Sequence, residues 1–580
     1  MRSTFAGLNT MLSGIQTYSL GLDTVGHNIT NANTPGFSRQ SVDVAATPAS
    51  KIYTSFGPAY AGNGVGGLSI NRARDAYADK QYWREASSKG YYETQLKNYN
   101  KVEEIFNDTS DSGLQKAMTE FYKSWVDLSA NASTTANRTA VIQKGRSLAE
   151  RIDLFTEQVQ EQINAEYEDL RLNVDKVNTI TDGIVALNKS ILTMEATGGN
   201  TNDIRDQRDL LVDQLSAFMN INVYEDSQGM YTIVSNGTSI VNGASGLHLQ
   251  LGNRIDNEEY GVTDYTLQIK ETGTLFNGLE GILKGNLDNI AEDKGYIDTL
   301  SNIACFMLTT LNDQHKTGVG IDAVPTTGLN FYGDENYVYT WEKPAGSEQY
   351  SLRIHDTKAS AGTPDTYVRG VKAIAELHVA NNLTAPGGEQ YVAARTYNQL
   401  FNDNGTPLLD SNGNYVYQDK NISTGVTLAA GSSITINGTT YPVPPTGTGI
   451  PADILTADLN GTGDGSNATL ISTLFNLKKD ETGRPVGERS IGDVSLNTYY
   501  NAIMTGLGIK TQTTDSNLDY EESMLEQINT WRESTSGVNW NEELTYMITF
   551  QTGYSACSRC LTTMDEMLDR LINSTGVVGR

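Results

Sequence analysis

The chain has 580 residues, a net charge of −27 and only three cysteines, Cys305, Cys557 and Cys560. One core does not grow to that size, and division by roughly 150 residues per domain gives three or four. The acidity excludes the basic footprint of a nucleic-acid binder and disfavours anionic membrane surfaces. The cysteine count excludes a disulfide scaffold, and no run approaches the roughly 18 consecutive apolar residues of a membrane span.

The first element is an amphipathic helix. Leu8, Met11, Ile15, Tyr18, Leu22, Val25 and Ile29 alternate steps of three and four, and at the far end Met547, Phe550, Tyr554, Cys557, Leu561, Met564, Leu568 and Leu571 do the same. Steps averaging about 3.5 residues let helices pair along a continuous apolar seam. Residues 1–40 carry only Arg2, Asp23 and Arg39 as charged groups. Their outer face of Ser, Thr, Asn and Gly can be covered without stranding ions. A helix packed on its own domain fits the pattern. An assembly segment, fully ordered only beside parallel partners in a polymer, fits the sparse charge better.

Proline divides the rest of the chain. Pro35, Pro48 and Pro58 stand early, ten more fall from Pro325 to Pro485, and none lies beyond. Proline breaks helix interiors, so long helices belong in 59–324 and 486–580. The spacing predicts helices over about 72–107 and 112–130. A rod helix should run from about Thr135 to Met194, on the order of 90 Å at 1.5 Å per residue. Its apolar series has one longer gap, between Val177 and Ile184. A helix over 203–219 comes after the Gly198-Gly199-Asn200 break.

Alternating Ile221, Val223, Tyr231 and Ile233 about Gln228-Gly229 read as a hairpin, and Leu247, Leu249 and Leu251 continue the pattern. A helix is expected from about Tyr296 to Asp313. Residues 325–490 are rich in Gly, Thr, Asn and Pro, with short runs such as Ser433-Ile-Thr-Ile before the turn signal Asn437-Gly438. They read as one or two β domains facing solvent. Helical spacing then returns, and Asn539 to Glu542 has the form of a capping box.

The expected fold is therefore α+β and multidomain: a terminal α-helical coiled-coil layer, a long-helix rod and an inserted β-rich outer part. The divisions are 1–45, a terminal helix; 46–324, a helical rod with a β patch near 221–251; 325–490, the insert; 491–535, returning rod helices; and 536–580, the last helix.

Enzyme chemistry finds no footing. Gly62, Gly64 and Gly67 satisfy G-x-G-x-x-G but lack the βαβ setting of a dinucleotide site, so they read as a glycine turn. The histidines form no zinc-binding helix, and Cys557-x-x-Cys560 sits inside a helical seam without partners for a metal. Asp203, Asp206, Asp209 and Asp213 form a stripe interleaved with Arg205 and Arg208, which reads as a solvated, ion-paired helix face. No catalytic residue, metal or cofactor is expected.

His27-Asn-Ile-Thr-Asn-Ala-Asn-Thr-Pro-Gly-Phe-Ser-Arg-Gln40 resembles the N-terminal signature of bacterial flagellar axial proteins. Within it Thr34-Pro35-Gly36-Phe37 should stop the helix and turn the chain, with Asn28, Asn31 and Asn33 serving freed backbone groups. Gly62–Gly67 with Ile70–Asp75, Asn202–Asp213, Leu311–Gly318, and Ser536–Glu543 with Met564–Leu568 are similar to segments of the hook-associated protein 1 family of that class. His27, Trp540, Cys557 and Cys560 depart from its usual residues.

The resemblance implies a non-enzymatic adaptor at the hook–filament junction, exported by the flagellar type III route, which would explain the missing secretory signal. It implies self-assembly into a ring between the hook protein and a second junction protein. It also implies a cytoplasmic export chaperone at the C-terminal helix. Another axial protein (the hook protein or the second junction protein), or an adhesin or enzyme displayed on axial ends, are the alternative readings.

Overall fold

The computed structural model describes residues 6–54, 57–106, 113–276, 280–322, 328–360, 362–399, 401–402, 417–419, 427–428, 433–436, 439–442, 463–476, 491 and 494–574. The chain opens with α1 (Ala6–Asn31) and an arm of four strands, β1 (Gln40–Ala46), β2 (Ser50–Thr54), β3 (Gly57–Ala61) and β4 (Val65–Arg72). Antiparallel pairing of β1 with β4 and β2 with β3 makes the arm two successive two-stranded ladders. The arm lies on both sides of the division expected at 45/46. The glycine turn expected at 62–67 runs directly into β4.

The rod comes next: α2 (Ala76–Phe106), α3 (Leu114–Ala130), α4 (Thr135–Glu195) and α5 (Asn202–Phe218). Along α4 the buried positions Leu148, Ile152, Phe155, Val159, Ile163, Tyr167, Leu170, Val174 and Val177 form one continuous face. The apparent gap before Ile184 is filled by Thr181, which is fully buried and carries the same face through a polar residue. The β patch is a four-stranded antiparallel sheet, β5 (Asn222–Glu225), β6 (Tyr231–Ser235), β7 (Thr238–Asn242) and β8 (Ser245–Gly246). The ribbon β9 (Leu249–Asn257) with β10 (Val262–Ile269) comes after it.

Helix α6 spans Gly281–Phe306 and continues through a π turn into Asn312–Lys316. It starts fifteen residues before the expected Tyr296. Gly281, Gly285 and Asn286 lower helix propensity there. Tertiary packing overrides it, because the bare Cα of Gly285 lets the helix lie against Thr94 of α2, where a Cβ would stand 2.8 Å from the threonine.

The insert holds β11 (Tyr337–Glu342), β12 (Ser351–Asp356) and β13 (Thr366–Val368) as a three-stranded antiparallel sheet. Ser433–Ile436 pairs antiparallel with Thr439–Pro442, and the turn residues Asn437 and Gly438 lie outside the described residues. The insert does not simply face solvent. Phe331 and Tyr332 are fully buried against Phe121 of α3, at ring separations of 5.6 and 6.0 Å. Helix α7 (Ser466–Leu474) closes the same cluster with Phe475. The reason is bulk: the wide faces of Phe121 and Trp125 cannot be covered by α4 alone, so the insert supplies the remaining wall.

His315 belongs to this core. Its Nε2 accepts from the Ala393 amide at 3.0 Å and its Nδ1 donates to the Leu329 carbonyl at 2.8 Å, a neutral tautomer. Burial pushes it down to about 4.

Helix α8 (Leu496–Ser536) returns along α2, and α9 (Trp540–Ser574) ends the described chain beside α1. Asn539 caps α9 through its Oδ1, which accepts from the Asn541 amide at 3.0 Å.

Candidate assembly interface

Helices α1 and α9 run antiparallel within one chain. Three glycines missed at the sequence level mark the contact. Gly7 faces Met564, Gly14 faces Cys557 and Gly21 faces Phe550, and a Cβ at these glycines would lie 3.0, 2.9 and 2.9 Å from those side chains. Both series step by seven, in opposite senses. Gly553 on α9 makes the same concession to the ring of Tyr18. Large side chains thus seat on bare backbone, a knob-into-hole arrangement with glycine as the hole. The strict spacing of Gly7, Gly14 and Gly21 was the signal available in the sequence.

The expected apolar seams flank this contact. Val25 is buried, whereas Leu8, Met11, Ile15, Tyr18, Leu22 and Ile29 are half-buried. On α9, Met547, Phe550, Cys557, Leu561, Met564 and Leu568 are half-buried, and Tyr554 and Leu571 are exposed, Leu571 at 55%. Ile548 and Ile572 add to that outward face, at 64% and 63% exposed. A single chain therefore covers one side of the pair and leaves the other uncovered.

The turn after α1 forms as its residues dictate. The Thr34 amide donates to the Asn31 carbonyl and the Phe37 amide to the Thr34 carbonyl, at 2.9 and 3.1 Å. Gly36 takes φ +78°, the conformation a type II turn needs at that place. Asn31 also donates through Nδ2 to the His27 carbonyl at 3.0 Å. Asn33 and Pro35 are exposed, and Phe37 meets the His27 ring edge-on at 5.4 Å.

Asn28 does more than cap. Buried at 1% exposure, it donates to the Gln40 carbonyl at 2.8 Å, accepts from the Gln40 amide at 2.9 Å and donates to Glu543 Oε2 at 3.0 Å. Arg39 Nε donates to the other carboxylate oxygen at 2.7 Å, and its amide donates to the Ser536 carbonyl at 2.8 Å. One carboxylate joins the end of α1, the start of β1 and the start of α9.

Beneath this node lies the aspartate stripe of α5, which is solvated at Asp203 but not further along. Asp206 and Asp209 are buried, and their partners come from other elements rather than from Arg205 and Arg208. Arg72 of β4 donates to Asp206 and Asp209 at 2.6 and 2.8 Å. Arg74 binds Asp79 at 2.8 Å and faces Asp209 at 3.5 Å. Arg532 of α8 pairs with Asp79 and Asp213 at 2.9 and 2.7 Å. Trp83 Nε1 donates to Asp213 at 2.7 Å, and the Ser38 amide to Asp206 at 2.8 Å. Arg208 is fully buried elsewhere, stacked 3.3 Å from the Tyr231 ring centroid.

Burial alone would raise Asp209, yet Arg74 and Arg72 hold it below the usual carboxylate range. For Asp213 burial outweighs Arg532 and Arg74, and the carboxyl is raised. Stripe spacing predicted ion pairing but could not reveal partners some 130 residues or more away.

Between the 32–39 turn and residues 533–542 runs a polar groove of about 800 Å³. Among the described residues no cluster of three or more His, Cys, Asp or Glu could hold a metal ion. No described helix is long and apolar enough to cross a membrane.

Similarity to known proteins agrees with this architecture. The family pattern described as flagellar hook-associated protein FlgK helical domain matches residues 99–332, and that of the flagellar basal body rod FlgEFG protein C-terminal matches 533–574. Flagellar hook-associated protein 1 of Bacillus subtilis is 29% identical over 587 residues, covering 100% of both chains. That of Escherichia coli is 25% identical over 98% of this chain and 99% of its own. The alignments therefore run through 325–490, where the sequence alone showed no resemblance. The solved structure of the flagellar hook junction protein FlgK from Burkholderia pseudomallei shares the fold at TM-score 0.51. It is 17% identical and matches 79% of this chain and 100% of its own.

Paired terminal helices, a helical rod and the matched regions together resemble those of flagellar axial proteins. Among proteins of that class, the chain is similar along its whole length to flagellar hook-associated protein 1.

Proposed function

We propose that this protein is a structural adaptor of the bacterial flagellum, assembling at the hook tip and joining hook to filament. The observation that carries the reading is the half-covered terminal pair. Glycines close α1 on α9, while Ile548, Leu571 and Ile572 remain outward on a chain similar from end to end to hook-associated protein 1. Apolar side chains left exposed along the same helix offer a surface that another copy or a partner can cover. With a net charge of −27, copies repel in general, so cohesion must come from such specific seams.

In this reading copies form a ring. The hook protein packs on one side and a second junction protein on the other, and a cytoplasmic chaperone holds α9 before type III export. The protein then resides outside the cell, in the flagellum. Its role is mechanical rather than catalytic.

Deleting the gene tests the placement. Hooks without filaments, with filament protein released into the medium, are the expected outcome. Normal filaments would overturn the assignment.

A further inference from the structure

We propose that the folded rod holds a proton on Asp293, whose carboxyl donates it to Asn289 one helical turn earlier, and that this proton fastens α6 to α2. Asp293 is fully buried on α6 and Asn289 is 1% exposed. Asn98 of α2 donates to Asp293 Oδ1 at 2.9 Å, while Asp293 Oδ2 meets no donor. The amide orientation of Asn289 is set by its Nδ2, which donates to the Thr94 carbonyl of α2 and to Glu166 Oε2, each at 3.2 Å. Its Oδ1 is therefore turned away from both and also meets no donor. Residues four apart share a helix face. Two buried acceptors on one face, neither with a donor from the protein, are both satisfied by one added proton.

The neighbouring acid shows the contrast. Glu166 of α4 is also buried, yet Gln162, Asn286 and Asn289 all donate to it, at 3.2, 3.0 and 3.2 Å. Burial raises it too, but three donors oppose that rise, whereas Asp293 has a single donor. Around this network stand Lys97 and Tyr99 on α2, Asp169 on α4, and Glu292 and Tyr296 on α6, and Lys97 is engaged by Asp169 at 2.7 Å. Burial first, then Glu166 and Glu292, push Asp293 up to about 7 against the Asn98 bond.

The folded value lies above the unfolded one, so the proton's stabilisation is complete below the ordinary carboxylate range. It is lost as pH rises through about 7. Urea unfolding of the full chain between about pH 5 and 8 reads this directly. The unfolding constant of the natural protein, relative to Asp293→Asn, should grow up to about tenfold per pH unit in that window. Glu521, also pushed up to about 7 beside Glu85, acts in both proteins alike and cancels.

Equal pH slopes in the two proteins would overturn the proposal. Should the variant not fold, carboxyl-carbon NMR of the aspartate-labelled natural protein decides: one aspartate titrating near neutrality supports the proton. Complete ionisation of every aspartate by about pH 6 refutes it. Recovery of the lost stability at alkaline pH by added calcium ions would also refute it, since a metal would then satisfy those oxygens.

Discussion

Asn28 and Glu543 lie 515 positions apart and meet in a buried hydrogen bond of 3.0 Å. The same carboxylate receives Arg39 at 2.7 Å, so the chain's two ends are tied by one side chain where α1 leaves and α9 begins. The glycine contacts set how closely the helices approach, and this node sets where along their length they register.

Glu543→Ala should therefore free the terminal pair without melting the rod. It strands Arg39 and the Asn28 amide, a loss of about 2–4 kcal/mol in local docking. Amide exchange should accelerate across α1 and α9 alone. Protection unchanged in both helices would show that the node does not hold them.

The glycine holes make a second prediction. Gly14→Ala gains helix propensity of nearly 1 kcal/mol, but its Cβ would sit 2.9 Å from Cys557 Sγ. Overpacking of this kind costs about 1–3 kcal/mol. Combining it with Cys557→Ala should restore most of the loss, because the alanine lacks the obstructing sulfur. A double-mutant cycle on the α1–α9 pair measures this, and strict additivity would contradict direct contact.

At the buried network, Asp209→Asn should be severe. Arg72 and Arg74 would keep their charges and lose the carboxylate between them, at about 3–5 kcal/mol. The folded Asp209 is held low, so its contribution is full above the unfolded carboxylate range and is lost as pH falls through the folded value. The penalty of the variant should thus be largest near neutrality and shrink in acid. Urea titrations at several pH values check the sign.

Assembly itself is addressed by Leu22→Asp and Leu561→Asp. Both positions are half-buried at the seam and distant from the rod core. Either aspartate should leave rod and insert folded while blocking incorporation at the hook tip, seen by circular dichroism and by electron microscopy of isolated hooks. Normal incorporation would remove the seam from the assembly account.

Hydrophobic spacing alone locates α1, α4 and α9, because a periodic face is a property of one segment and needs no knowledge of partners. The Thr34–Phe37 turn is likewise local, forced by proline and released by Gly36. Helix α6 was legible only in part, since Gly281 and Gly285 argue against a helix until Thr94 is placed beside them.

What tertiary structure alone decided is which face meets which. The seam leucines were visible, yet bare backbone at Gly7, Gly14 and Gly21 takes the intimate contact, because close approach rewards the absence of a side chain as much as its hydrophobicity. The α5 aspartates looked solvated because their partners, Arg72, Arg74 and Arg532, are remote in sequence. The insert looked external until Phe331 and Tyr332 entered the Phe121 cluster. Periodicity fixes the elements of this protein; its electrostatics and joints depend on long-range coincidence, which no local pattern encodes.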